Sequence, residues 1–399
     1  MKVVVVGTGG REEALCWALR QGDATVAAVA ASGSVAELAA AVLAEGPGLV
    51  VIGPEAPLVA GLADALRAAG VPVFGPSRHA ARLEGSKAFS KAFMRKHGVP
   101  TADYQTFTDL AAALGYLATK SAPIVVKDSG LAAGKGVTVA ETHAAAEAAL
   151  HTLFARGGPN TEVVIEEFLT GRELTVMLFT DGRHHRLLPL ARDHKRLLDG
   201  DHGAMTGGMG AVAPVALSEP GLLDVIERTI IAPVLEGIAA EDMLYRGVLY
   251  VGIMLTPAGP RVLEFNVRLG DPEAQAVLPL LASNAPELFL AVAEGRLGEA
   301  DVRWHPAHTA CVVMAAPGYP DAPLKGVPVK LPADRANGVH VFKGGLEAGA
   351  APGSFTTSGG RALSVVAVAP TAAEARAAAY AGVAAVTFPG AQFRTDIGS

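Results

Sequence analysis

Two tetrapeptides near the start of the chain, Val3-Val-Val-Val6 and Leu49-Val-Val-Ile52, are apolar at every position. A strand with one wet face alternates apolar and polar residues, whereas a strand without alternation must be covered on both faces. Val26–Ala30 and Val71–Phe74 read as two more short strands. Helical segments lie between them: Arg11–Arg20 with Gly22 just beyond, Val35–Ala44, and Leu58–Ala69 stopped by Gly70. Such alternation predicts a doubly wound parallel sheet with helices on both sides. The pattern occupies residues 1–84, which we expect to form the first domain.

The remaining length, to residue 399, leaves room for one or two further domains. Half of the chain is hydrophobic and 18% is charged, so large cores can form and general disorder is excluded. The net charge is −6 and there is no Lys/Arg run, which argues against a nucleic-acid partner. The opening valine run is too short for a membrane span or a signal core, and no other stretch reaches spanning length without charges or prolines. No membrane partner is expected. Cys16 and Cys311 have no metal-like spacing; as buried free thiols they suit a reducing, cytoplasmic setting.

The segment Ile124-Val-Val-Lys-Asp-Ser-Gly-Leu-Ala-Ala-Gly-Lys-Gly-Val137 reads as a strand ending in Lys127, a glycine-punctuated loop carrying Lys135, and a second strand to Ala140. Small residues let backbone approach a ligand, and two lysines supply charge where phosphates would lie. It is not a Walker loop: three residues rather than four separate Gly130 from Gly134, Gly136 follows the lysine, and a strand follows the loop. A flap closing over a nucleotide fits, as does a plain hairpin with a solvated lysine.

Strand periodicity divides Val262-Leu-Glu-Phe-Asn-Val-Arg-Leu269 into two faces. Leu263, Phe265, Val267 and Leu269 are expected in a core, with Glu264, Asn266 and Arg268 together on the other side. Glu and Asn oxygens two residues apart can hold a hard cation such as Mg²⁺. An adjacent arginine can grip carboxylate or phosphate. Gly270-Asp-Pro-Glu273 adds two acids in a tight turn, dense for an ordinary solvated face. Glu166 and Glu173, near the exit of an apolar strand, suit either a nucleotide's polar groups or plain solvated turns. Gly7-Thr-Gly-Gly-Arg-Glu12 joins the first strand to the first helix, where anions meet free backbone N–H groups. Glu12 replaces the third glycine of a dinucleotide fingerprint, so the site suits a phosphate on something smaller; a turn needed only for packing is the simpler alternative. Asp193-His-Lys-Arg196 and Thr206-Gly-Gly-Met-Gly210, alone, read as a basic turn and a mobile loop.

In order along the chain, these motifs together with Gly53-Pro-Glu-Ala-Pro-Leu58 and Leu83-Glu-Gly-Ser-Lys-Ala-Phe89 resemble the phosphoribosylamine–glycine ligase (glycinamide ribonucleotide synthetase) family of ATP-grasp enzymes. The resemblance runs from Lys2 to Asp396. It implies an α/β and α+β multidomain fold: the doubly wound N-terminal domain, a central ATP-grasp domain over 85–298 with a flap at about 103–170, and a small C-terminal α/β domain over 299–399. It implies ATP and Mg²⁺ or Mn²⁺ as cofactors, glycine and 5-phosphoribosylamine as substrates, and a monomer or weak homo-oligomer. Lys87, Lys127 and Lys135 would contact ATP; Glu166, Phe168 and Leu169 would line the adenine pocket, and Glu173 would reach the ribose. Glu264 and Asn266 would hold the metal. Gly9, Gly10, Arg11 and Glu12 would receive phosphoribosylamine. Asp193, Lys195, Arg268, Gly270, Asp271 and Glu273 would close the substrate side, with Lys195 and Arg268 catalytic. The chain departs from the family pattern at Glu13, where a histidine is common, and at Ala31-Ser-Gly-Ser34, where a Pro-Gly-Asn stretch is usual. Another ATP-dependent ligase, a nicotinamide oxidoreductase and a nucleotide sensor are the competing readings.

Overall fold

The four apolar runs of the N-terminal part pair side by side, all parallel, in the order Thr25–Val29, Lys2–Val6, Leu49–Ile52, Val73–Phe74. This computed structural model describes residues 1–132, 136–158, 161–217, 219–332 and 336–399. Val4 and Val6 enter one core with Leu38, Val42 and Leu62, while Val3 and Val5 enter another with Leu15 and Leu19. That two-sided burial is what an unbroken apolar strand requires. The expected helix over 58–69 is instead two helices, Glu55–Ala60 and Leu62–Ala68. Gly61 between them has φ +99°, which a right-handed helix cannot contain.

The central part holds two antiparallel sheets. The flap sheet has the order Tyr104–Phe107, Val163–Glu167, Ile124–Asp128, Val137–Ala140. One of its faces packs Ile124, Val126, Val163 and Ile165 against the helices Leu110–Leu117 and His143–Gly157. The second sheet, called central below, runs His185–Leu187, Arg172–Thr180, Gly247–Thr256, Gly259–Asn266. Leu174, Val176, Leu249 and Val251 on its inner face share a core with Ile226, Val234 and Ile238. Those three sit on a stretch whose apolar spacing reads as one regular helix over 222–236. It is built as Leu222–Ile226 and Ala232–Ala240, joined by a wider i→i+5 turn over Glu227–Ile231. Pro233 lacks the N–H for the next regular bond. The mostly apolar run Leu187–Ala191 reads as a strand, but the strand lies earlier, at His185–Leu187.

The C-terminal sheet has the order Arg192–Asp193, Gly210–Ala213, His308–Ala315, Arg361–Ala369, Val339–Lys343, all antiparallel. Its first two strands come from the middle of the chain. The helix Ala372–Ala385 covers it. Thr371 Oγ1 accepts the Glu374 N–H at 3.2 Å and Glu374 accepts the Thr371 N–H at 3.1 Å, the capping box that the Thr/Glu spacing predicts. Both cysteines are free and buried. Burial pushes Cys16 up to about 11 and Cys311 to about 12, so neither is a reactive thiolate. No helix among the described residues is long and apolar enough to cross a membrane.

Candidate active site

Strand pairing decides which residues of the central sheet face the cleft. Tyr250 lies opposite Asn266 and Gly252 opposite Glu264, but Ile253 lies opposite Val262. Leu263 is therefore an extra residue on its strand, a β-bulge. This corrects the expected alternation: Leu263 is half-buried and outside the core, and Val262, fully buried, takes that place. Pairing also ends at Asn266 rather than Leu269. Past the bulge, Phe265 and Val267 are buried on one side and Glu264 and Asn266 stand on the other. On the neighbouring strand Glu173 is opposite Met254 and Thr175 opposite Gly252. Residues directly opposite share a face, so Glu173, Thr175, Tyr250, Glu264 and Asn266 line one surface.

Glu264 is exposed and forms no ion pair among the described residues. Its carboxylate and the Asn266 carbonyl are hard oxygen donors that suit a divalent cation. No group of three or more His, Cys, Asp or Glu among the described residues could hold a metal alone. A cation here would complete its shell with phosphate and water oxygens, the usual habit of Mg²⁺.

In the flap, Lys127 is opposite Val137 and Val164, and Val125 opposite Val139 and Glu166. These side chains share the face turned away from the flap's own core. Val137 and Val139 are 43% and 47% exposed, an apolar platform beside ionised groups. Lys127 and Glu166 form a buried ion pair. Glu166 also contacts Lys91 at 2.5 Å. Burial opposes the Glu166 charge, but the two lysines hold its carboxyl below the ordinary value. Lys87 opens the helix Lys87–Lys96 and donates to Gly130 O at 2.9 Å. Burial lowers its pKa, and it feels both Glu264 and Lys127. Lys87 thus contacts the flap loop and lies within electrostatic reach of Glu264 on the polar face of the central sheet. Phe168, half-buried, and Leu169, buried, follow the flap strand at its exit. Lys135 lies outside the described residues.

Lys195 Nζ lies 3.7 Å from both Glu173 and Asp193. Burial works against its charge, yet Asp193, Glu173, Glu264 and Glu273 together raise its pKa. Glu273 opens the helix Glu273–Val277 and is buried. Tyr250 donates its hydroxyl to Glu273 at 3.0 Å, and Thr175 Oγ1 lies 2.9 Å from the same hydroxyl. Burial first, then Asp193, push the Glu273 carboxyl up to about 7. A Cβ at Gly270 would stand 2.4 Å from Glu273 Oε2, so only glycine leaves room for that carboxylate.

Arg268 faces the same region but is already engaged. Its guanidinium lies 2.6 Å from Glu84 and 3.2 Å from Glu55, both from the first 85 residues, and donates to Asn266 Oδ1 at 3.1 Å. Glu84 also accepts the Val267 N–H at 2.7 Å. Despite burial, Glu84 and Glu55 hold Arg268 protonated. Arg268 therefore fastens the central sheet to the N-terminal part, a role its spacing did not reveal. Glu12 likewise turns inward, accepting the Gly9 N–H at 2.8 Å and pairing with Arg11 Nε at 2.6 Å. A Cβ on Gly53 would fall 2.2 Å from Glu12 Oε1. The Gly9 N–H, expected to face a ligand, is thus taken by the helix's own cap. Thr8, Gly9 and Gly10 still line a cavity of about 410 Å³ with Asp271, Ser358 and Arg361. Arg361 Nη2 pairs with Asp271 at 3.1 Å, and Gln275 Nε2 donates to Asp271 at 2.7 Å.

Lys91, Glu84, Tyr250 and Arg361 are the site residues that sequence reading missed. Only Lys91 carried a signal: four residues after Lys87, it shares that residue's helix face.

The phosphoribosylglycinamide synthetase N domain matches residues 1–84, its ATP-grasp (A) domain 85–274 and its C domain 309–399. The chain is 44% identical over 418 residues to the phosphoribosylamine–glycine ligase of Caulobacter vibrioides, covering 100% of this chain and 98% of that protein. The crystal structure of the Thermotoga maritima phosphoribosylamine–glycine ligase superimposes with a TM-score of 0.84 at 35% identity, covering 100% of both chains. The biotin carboxylase domain of the Hydrogenobacter thermophilus 2-oxoglutarate carboxylase, solved with MgADP, matches with a TM-score of 0.72 at 16% identity, over 98% of this chain and 91% of that one. That last likeness concerns the fold alone. The chain belongs to the phosphoribosylglycinamide synthetase family.

Proposed function

We infer that the chain joins glycine to 5-phosphoribosylamine, with ATP cleaved to ADP and phosphate, giving glycinamide ribonucleotide for purine biosynthesis. The observation that carries this reading is the position of Lys87, which donates to Gly130 O of the flap loop at 2.9 Å and stands within electrostatic reach of Glu264 on the central sheet. Nucleotide-facing and cation-facing groups therefore adjoin, and Lys195 continues the series from Glu264 to Glu273.

The base of ATP rests on the exposed Val137 and Val139, with Phe168 and Leu169 at the strand exit and Glu173 toward the ribose. Lys127 and Lys87, joined by Lys135 from the loop, meet the phosphates. Glu264 and Asn266 would hold Mg²⁺ or Mn²⁺, which supplies charge neutralisation for the transferring phosphoryl group. A glycine carboxylate oxygen attacks the γ-phosphorus, the bond to the β-phosphate oxygen breaks, and ADP leaves. Lys195 offsets the charge on the transferring oxygens. The phosphoribosylamine nitrogen then attacks the acyl carbon of glycyl phosphate, phosphate departs, and the nitrogen loses a proton. The phosphorylated sugar fits the cavity formed by Gly9, Gly10, Asp271 and Arg361, whose loop Arg11 and Glu12 shape. Arg268, Asp193, Gly270 and Glu273 close the glycine end. Catalysis rests on alignment and exclusion of water from a hydrolysable acyl phosphate. The division into 1–84, 85–298 and 299–399, a cytoplasmic location and a monomeric or weakly associating state belong to the same reading.

The test is ADP release in the presence and absence of glycine, with mass spectrometry of the product. A glycine-independent rate, or no glycinamide ribonucleotide, would overturn it.

A further inference from the structure

The helix Lys87–Lys96 carries two lysines on one face. Lys87 reaches the cleft, whereas Lys91 is 2% exposed and cannot meet a ligand. Its ammonium donates to Thr101 Oγ1 at 2.7 Å, and Thr101 in turn donates to Val262 O at 2.6 Å. The same ammonium lies 2.5 Å from Glu166 Oε2, an ionic approach without hydrogen-bond alignment. The other Glu166 oxygen belongs to Lys127. One carboxylate is thus shared by a lysine beneath the cleft and a lysine within it.

Two ammoniums and one carboxylate leave a single positive charge. Without Lys91 the remaining pair would be neutral, and Lys127 would be committed to Glu166. An ion in a poorly hydrated site interacts far more strongly with such a balance than one in water.

We propose that Lys91 is a positioning residue for nucleotide capture: it neutralises Glu166 from below, so that the Lys127 ammonium keeps its charge for the phosphates. The proposal rests on the reading of Lys127 as a phosphate-contacting side chain. Lys91 itself touches no substrate.

The experiment measures KM for ATP and kcat by ADP release, together with competitive inhibition by inorganic tripolyphosphate, which has no base to contact Glu166. Lys91→Met should raise the ATP KM and the tripolyphosphate Ki about tenfold, equivalent to ~1.4 kcal/mol, with the KM for glycine unchanged. Lys91→Met/Glu166→Gln restores the single positive charge and should return the Ki to within about threefold of the parent, on the same conversion between ratio and free energy. A Ki that stays high in the double variant, or a glycine KM that rises equally, overturns the proposal. If Lys91→Met alone does not fold, Glu166→Gln and the double variant carry the test: both must bind tripolyphosphate within about threefold of the parent or more tightly, and binding weaker than that in either refutes the proposal. Lys127→Ala separates the two readings. A normal tripolyphosphate Ki in Lys127→Ala removes the nucleotide assignment, whereas a raised Ki there beside a normal one in Lys91→Met removes only the role of Lys91.

Discussion

Glu273 should titrate near neutrality, and Asp193 should be part of the cause. An isolated glutamate has a pKa of 4.5, whereas Glu273 is pushed up to about 7 by burial and then by Asp193. The difference amounts to ~3 kcal/mol against its charged form. Because the folded value lies above the unfolded one, the associated stability is fully present below 4.5 and is lost as the pH rises through about 7. The perturbation is Glu273→Gln, compared with the parent and with Asp193→Asn. Thermal midpoints recorded from pH 4.5 to 8 should fall with rising pH in the parent by more than in Glu273→Gln. Over the same range, kcat/KM for glycine in the parent should show an ionisation near 7. In Asp193→Asn that limb should move to lower pH, since a neighbouring negative charge has gone. If Glu273→Gln keeps the parental limb, or Asp193→Asn leaves it in place, Glu273 is not the titrating group.

Glu264→Ala should abolish metal-dependent ADP formation while leaving the thermal midpoint within a degree or two, because the side chain is exposed and has no ion-pair partner among the described residues; appreciable turnover would remove it from the centre. Arg268→Met leaves Glu84 without its cation and should cost ~3–5 kcal/mol, read as a drop of several degrees in the thermal midpoint; an unchanged midpoint would show that the clasp holds nothing. Gly53→Ala forces the buried Glu12 aside and should raise KM for phosphoribosylamine with KM for ATP unchanged; equal effects on both would place the loop elsewhere. Cys16 and Cys311 should resist a disulfide reagent at pH 8 in the native protein and react on unfolding, since burial holds both thiols protonated; rapid native labelling would contradict their burial.

Local runs carried most of the fold. An unbroken valine strand requires two apolar layers, and both are present around Val3–Val6. The flap pairing of Lys127 with Val137 followed from two apolar stretches joined by glycines. What escaped sequence reading depends on partners far along the chain. The Leu263 bulge is defined only by the register with Gly252 and Ile253. The Arg268–Glu84 clasp joins residues 184 positions apart. Within the site, Glu264 and Asn266 were legible because period-two spacing places them together, whereas Arg361 lies in an ordinary strand end whose neighbour Asp271 is set by tertiary packing alone. Gly61 looked like a helix-interior residue, and only its backbone angle separates the two short helices.

Arg192–Asp193 and Gly210–Ala213 are hydrogen-bonded into a sheet whose other members begin at His308. The connection between them carries Lys195, so the last quarter of the chain serves as the anvil on which that lysine is mounted. Cutting the gene after the ATP-binding region would strip Gly210–Ala213 of its partner His308–Ala315 and let the loop drift from Glu173. Exchanging tails between relatives would therefore alter turnover even though the exchanged segment supplies no group to the phosphoryl transfer.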